Sequence, residues 1–194
     1  RVYSKFRHAI DYIGALIFGT LLLAMLPLVA LLIKLTSPGP LFFKQKRIGQ
    51  YGKTFDIYKF RTMTCDAERD GAQLAENHDP RILPGCGWMR KSHADELPQL
   101  WNILWGQMSL VGPRPERPEI IELFRNAMPN IDLRLISRPG LTGLAQIRNG
   151  YTNDITGARK KLAYDLKYLR HRSFLGDLRL VIQTIPKMWD RTAM

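Results

Sequence analysis

The chain has 194 residues, with 29 lysines and arginines against 17 acids, giving a formal charge of +12. That length fits one domain with room for a real core, and the cationic surplus points to an anionic partner such as nucleic acid, anionic lipid or a phosphate-bearing substrate. Cys65 and Cys86 have no CxxC spacing and His8, His78, His93 and His171 are scattered, which argues against a zinc site and leaves reduced, cytosolic thiols as the default.

The sequence opens on Arg1 rather than Met, so it reads as a trimmed chain or the C-terminal part of a longer one, with an N-terminal extension left open. From Tyr12 to Ile33 no residue is charged. At ~1.5 Å per residue such a helix crosses ~30 Å of hydrocarbon. Its flanks are both basic, with Arg1, Lys5 and Arg7 before it and Lys34, Lys44, Lys46, Arg47 and Lys53 after it. Positive charge collects on the cytoplasmic side. Pro27, near the middle, removes a helix hydrogen bond and favours a break. Together these predict a re-entrant helix–break–helix with both ends in the cytoplasm; a plain crossing is the simpler alternative. No small-residue cleavage motif follows, which argues against a signal peptide.

Thr36-Ser-Pro-Gly-Pro40 ends this segment as a turn cluster. Leu41–Ile48 and Lys53–Met63, two β-prone runs around Gly49-Gln-Tyr-Gly52, predict a hairpin. Lys59 and Arg61 lie two apart on its second strand and so share a face, suited to a phosphate or headgroup, or simply solvated. Thr64–His78 is polar and reads as an exposed helix or loop, and Asp79-Pro80-Arg81 is turn chemistry.

The stretch Lys91–Leu104 carries two adjacent carboxylates, Asp95 and Glu96, ahead of Leu97, Leu100, Trp101 and Leu104 at helical spacing. The pair therefore belongs at a helix N-terminus, where free N–H groups favour negative charge. Ser92 as N-cap gives a variant capping box; Pro98 argues for a later start, with Asp95 itself as cap. An ionised carboxylate in that place suits nucleophilic attack or metal ligation, and a purely local cap is the bland alternative.

Gly106–Pro118 reads as an irregular loop in which Pro113 and Pro115 stiffen the backbone around Arg114, the side chain best matched to a bidentate phosphate grip. Glu119–Ala127 is a short amphipathic helix, Arg138–Ile147 a Gly/Pro-punctuated stretch, and Thr156–His171 a basic helix. Ser173–Trp189 is more apolar; its face of Phe174, Leu178, Val181, Ile182 and Ile185 suits either the core or a membrane interface.

Five stretches together carry a resemblance: Phe43-Lys-Gln45, Ile57–Met63, Asp95–Asn102, Met108–Pro115 and Arg138–Gly143. In that order they resemble the bacterial sugar transferases, the monotopic phosphoglycosyl transferases. The resemblance implies an α+β, mostly helical fold: a re-entrant membrane helix broken at Pro27 (1–36), then one catalytic unit (37–194) with a hairpin and amphipathic interfacial helices around a membrane-surface active site. It implies transfer of a sugar-1-phosphate from a UDP-sugar to a polyprenol phosphate such as undecaprenyl phosphate, releasing UMP, at the cytoplasmic face of the bacterial inner membrane. Such a step opens exopolysaccharide or glycoconjugate assembly.

By the same resemblance Asp95 is the nucleophile and forms a phosphosugar intermediate. Glu96 is its paired carboxylate, and the two hold Mg²⁺. Lys59, Arg90 and Arg114 contact substrate phosphate, with Asp165 and Asp177 in supporting roles; Arg61 joins them as a supporting residue from its place on the strand face of Lys59. Expected partners are the two substrates and membrane lipids, with a homodimer allowed and no nucleic acid. Leu26-Pro27 stands where family members often have Ser-Pro, so a hydroxyl that would satisfy freed carbonyls is missing. Ile147–Gly157 is the region assigned to sugar selectivity. A non-enzymatic membrane-surface module and the same fold acting on another nucleotide sugar are the competing readings.

Overall fold

The computed structural model describes residues 2–67, 79–149 and 155–187. Its longest element is the helix α1, Val2–Thr36, with Pro27 inside it. The helical backbone continues through Pro27, where the sequence suggests a break, although the proline still removes the bond to the Leu23 carbonyl. Arg7, Asp11, Ala15, Leu22, Val29 and Ile33 are buried. Their steps of four and seven put them on one stripe. The other faces expose Ile13, Leu16, Ile17, Leu23, Leu28 and Leu31. By length and composition this helix is apolar enough to cross a membrane.

After the turn at Ser37–Pro40 the predicted hairpin forms, β1 (Phe42–Ile48) antiparallel to β2 (Thr54–Phe60), with Phe42 opposite Phe60 and Ile48 opposite Thr54. Phe55, Ile57 and Phe60 join α1 in the main core. A single bridge pairs Met63 with Ile82, and the short helix α2 (Gly87–Lys91) follows.

Neither expected start of the central helix is realised. Ser92 closes α2 and donates its hydroxyl to the Trp88 carbonyl at 2.8 Å. Ala94–Glu96 form one tight 3-10 turn, and α3 (Gln99–Leu104) begins only after Pro98. Pro98 sits where a missing N–H does no harm. Leu100 and Ile103 then fill the core, with Leu97, Trp101 and Leu104 packed against it.

The loop and the Gly/Pro stretch downstream meet as a parallel pair, β3 (Ser109–Val111) beside β4 (Gly140–Thr142). A Cβ on Gly140 would stand 2.0 Å from the Gly112 nitrogen, so this crossing requires glycine. Between the strands lie α4 (Pro118–Ala127) and a 3-10 turn at Ile131–Ile136. α5 (Leu144–Asn149), α6 (Ile155–His171) and α7 (Phe174–Lys187) complete the body. Ile121, Met128, Ile131, Ala158 and Leu162 form a second core cluster, while Val111, Tyr168 and Leu180 tie α6 and α7 to β3.

Of the apolar face expected on the last helix only Val181 turns inward, beside buried Asp177 and Leu180. Phe174, Leu178, Ile182 and Ile185 are exposed, which selects the outward alternative. The fold is thus α+β and mostly helical, as expected. Trp189, most of the polar stretch ending at His78, and residues 150–154 of the region assigned to sugar selectivity lie outside the described residues.

Candidate active site

Three elements meet at the Asp95–Glu96 turn. β2 brings Lys59, whose Nζ lies 2.7 Å from Glu96 Oε1. The loop after β3 brings Arg114, which donates from Nη1 to Glu96 Oε2 at 3.1 Å and from Nη2 to Oε1 at 2.5 Å. The proline-flanked arginine therefore makes a fork, but to a carboxylate. Glu96 is only 5% exposed. Burial alone favours its neutral form, yet the charges and hydrogen bonds of Arg114 and Lys59 hold it well below the usual carboxylate range.

Asp95 has the opposite environment. It is 7% exposed and makes no side-chain hydrogen bond or ion pair among the described residues. It caps no helix, since Pro98 occupies the N-cap of α3. Burial pushes its carboxyl up to about 6, against the pull of Lys59, with Glu96 adding to the rise and Arg90 and Arg114 opposing it. Two neighbouring carboxyls with diverging pKa values mark divided chemical roles.

Arg90, at the end of α2, borders the same cavity and reaches Thr62 Oγ1 at 3.5 Å. That cavity, about 1500 Å³, also takes in Lys59, Asp95, Glu96 and Arg114. His93 lines it too and was not singled out as a site residue. Its backbone is left-handed (φ 54°), and burial lowers its imidazole. No spacing in the sequence signals this; the strained turn does, and such strain concentrates at functional sites.

The supporting residues divide. Arg61 lines the same cavity as Lys59, but its guanidinium donates to the Ser37 and Pro38 carbonyls, both at 2.8 Å, and holds the turn after α1. Asp165 pairs with Arg134 Nη2 at 2.8 Å, and Arg134 donates to the Arg114 carbonyl at 2.9 Å. Arg134 also lies 3.5 Å from Glu116, which Lys161 contacts from α6. Asp165 thus reaches the site through Arg134, which lines the cavity and holds the backbone that carries Arg114. Asp177 accepts hydrogen bonds from the Tyr3 and Tyr168 hydroxyls, beneath the start of α1.

A second set of charges escaped the sequence reading. Arg7 donates to Ser109 Oγ at 2.8 Å, Ser137 Oγ at 3.1 Å and the Val111 carbonyl. Asp11 accepts from Ser109 Oγ at 2.9 Å, the Leu110 amide at 3.0 Å and Arg138 at 3.0 Å. The available signal was their i, i+4 placement on the stripe that continues through Ala15 and Leu22.

Among the described residues no three potential metal-ligating side chains cluster. Mg²⁺ needs only one or two carboxylates when substrate phosphates complete its shell. Asp95, with its oxygens unengaged among the described residues, meets that need, and Glu96 could join it on releasing oxygens now held by Lys59 and Arg114. Chemically, the arrangement offers a buried nucleophilic carboxylate facing a cavity with cations able to neutralise phosphate oxygens.

The profile of the family described as bacterial sugar transferase matches residues 2–191. A UDP-N-acetylgalactosamine-undecaprenyl-phosphate N-acetylgalactosaminephosphotransferase of Aeromonas hydrophila is 39% identical over 184 residues, 95% of this chain and 44% of that protein. A UDP-glucose:undecaprenyl-phosphate glucose-1-phosphate transferase of Caulobacter vibrioides is 39% identical, over 94% of this chain and 69% of its own. An exopolysaccharide production protein of Rhizobium leguminosarum is 40% identical over 92% of each chain. The chain therefore spans less than half of the Aeromonas relative and nearly all of the Rhizobium one.

Proposed function

This chain belongs to the bacterial sugar transferase family, and from that membership we propose that it transfers a sugar-1-phosphate from a UDP-sugar to a polyprenol phosphate, undecaprenyl phosphate above all, releasing UMP. The observation that carries the mechanism is the unpartnered, buried carboxylate of Asp95 beside a Glu96 held by Lys59 and Arg114. An Asp95 oxygen attacks the β-phosphorus, and the bond from that phosphorus to the bridging oxygen breaks. UMP leaves with the electron pair. A phosphate oxygen of the polyprenol then attacks the same phosphorus and expels the Asp95 carboxylate, leaving the sugar on a lipid diphosphate. Because the two displacements follow one another, donor and acceptor need not be bound together.

A carboxylate meets like-charge repulsion as it approaches a diphosphate. Lys59, Arg90 and Arg114 are positioned to offset it, and Arg114 and Lys59 can exchange Glu96 oxygens for substrate oxygens. Mg²⁺, when bound, would be held by Asp95 and Glu96 and would withdraw charge from the phosphates. Burial keeps water from competing for the intermediate.

We read residues 1–36 as the membrane segment and 37–194 as the catalytic part of one unit, at the cytoplasmic face of the inner membrane, in the first membrane step of exopolysaccharide or glycoconjugate assembly. Two attachments support a re-entrant α1. Its start is gripped by Ser109–Val111 through Arg7 and Asp11, and its end by Arg61 through Ser37 and Pro38. A straight crossing of about 50 Å would put those anchors on opposite sides of the bilayer. Cysteine labelling of His8→Cys in a Cys65→Ser background should succeed only from the cytoplasm; periplasmic labelling would end the re-entrant reading.

The reaction itself is tested by UMP release from a panel of UDP-sugars with Mg²⁺ and undecaprenyl phosphate, with intact-mass analysis after donor alone. Turnover should vanish in Asp95→Asn, and a phosphosugar-sized adduct should form on the wild type only. Unchanged turnover in Asp95→Asn sinks the mechanism.

A further inference from the structure

The cavity around Asp95 does not end at its charged groups. Part of its wall is apolar, formed by Phe18 and Leu21 of α1, Leu110 of β3, and Val181 and Ile185 of α7. Phe18, Leu21 and Ile185 are 42%, 51% and 55% exposed, so they belong at once to the cavity and to the outward apolar faces of their helices. The volume, about 1500 Å³, exceeds the roughly 300–1,000 Å³ of an ordinary small-molecule site, so space remains beside a nucleotide sugar.

Over these five side chains the wall presents hydrocarbon; beside them the Thr142 and Thr184 hydroxyls bond each other at 2.6 Å, Thr184 also donates to the Leu180 carbonyl, and Gln146 lines the same cavity. A uridine or a sugar laid across the five apolar side chains would lose more hydrogen bonds to water than those few groups return. A ligand with one phosphate and a long hydrocarbon chain matches both ends of the cavity. We propose that the isoprenoid chain of the acceptor leaves the active site between α1 and α7, across Phe18, Leu21, Leu110, Val181 and Ile185, with its phosphate at Lys59, Arg90 and Arg114. This rests on the reading of the chain as a polyprenol-phosphate sugar-1-phosphate transferase. It adds the path of the chain: the lipid enters from the side, through the apolar gap between two helices, and not from the aqueous mouth.

The test uses the full chain in lipid nanodiscs. Leu21→Trp and Ile185→Trp narrow the gap, while Leu23→Trp and Ile182→Trp place the same bulk on the same helices at exposed positions outside the cavity wall. First-turnover UMP release from donor alone reads the first displacement and should match wild type in all four. With undecaprenyl phosphate, Leu21→Trp and Ile185→Trp should raise the acceptor KM about tenfold, the loss expected for a few methylene contacts. The two controls should stay near wild type. With geranyl phosphate, too short to traverse the gap, all variants should behave alike. If either tryptophan prevents folding, Leu21→Ser and Ile185→Ser should weaken the long acceptor selectively.

An unchanged KM for undecaprenyl phosphate, or an equal rise for both acceptors, overturns the proposed path. Absence of first-turnover UMP from the wild type would instead overturn the transferase reading, so the two failures are distinguishable.

Discussion

Asp95 and Glu96 are neighbours in sequence, in burial and in charge type, yet among the described residues only Glu96 has hydrogen-bond partners. Its three hydrogen bonds come from residues 37 and 18 positions away. Asp95 remains a carboxyl that folding has buried with no direct hydrogen bond among the described residues, its burial offset only in part by the charges of Lys59, Arg90 and Arg114, the kind of strain that active sites retain. The sign of its pH effect follows from its raised pKa. A carboxyl that is near 3.8 when unfolded and about 6 when folded makes the native state lose stability as pH rises through that window. Asp95→Asn removes the titration. The variant should therefore gain on wild type between pH 4 and 6 and be more stable at pH 7 by roughly 1–3 kcal/mol, while being inactive. Urea melts of both proteins at pH 4 and pH 7 check this; a variant less stable at pH 7 would mean Asp95 has an unseen partner. The acid pair and Arg114 were legible in the sequence as a run and a proline-flanked arginine. Their pairing was not, because nothing local selects Glu96 over Asp95 as the anchor for Arg114 and Lys59.

Elements were legible where periodicity is strong and long. α4 and α6 follow their patterns within a residue and the hairpin forms as expected, although β2 stops at Phe60 short of Met63; α1 begins well before the uncharged stretch at Tyr12 and runs through Pro27. The parallel pair β3–β4 was hidden because each strand is three residues long and is held by contact between glycine backbones, for which sequence has no period. The start of α3 was misread for a related reason: a tight turn with a left-handed residue, His93, intervenes where a cap was expected. The glycine contact makes a sharp prediction. Gly140→Ala must push the Gly112 backbone aside, and overpacking of this kind costs about 1–3 kcal/mol or more. Thermal unfolding should shift down accordingly. Since Arg114 follows Gly112 by two residues, transfer activity should fall even where the variant is still folded. A variant with wild-type stability would show that the two backbones are not in contact.

At the scale of the whole molecule, the charge of +12 is used unevenly. Buried arginines are spent on structure: Arg7 and Arg138 on β3 and Asp11, Arg61 on the turn after α1, and Arg134 on Asp165 and Glu116. Composition announced an anionic partner but gave no means of telling which cavity-lining cations, Arg61 and Arg134 among them, are tied into structural contacts. Asp11 is central to the first group. Asp11→Asn leaves buried Arg138 without its counter-charge and with Arg7 close by, and breaking such a buried pair costs about 3–5 kcal/mol. The variant should stay membrane-bound through its unchanged apolar faces, while protease cleavage of the body accelerates. Equal protease resistance would mean that α1 docks by its hydrocarbon contacts alone.

The grip of Arg7 and Asp11 on Ser109–Val111 has a mechanical consequence. From Val111 to Arg114 the chain advances three residues, at most about 10 Å, and two of the intervening steps are stiffened by Pro113 and the glycine crossing. The start of α1 and Arg114 thus sit at the two ends of one short, stiff lever. A foreign hydrophobic helix spliced in place of α1 would still bring the body to a bilayer, but it would leave that lever without a fulcrum.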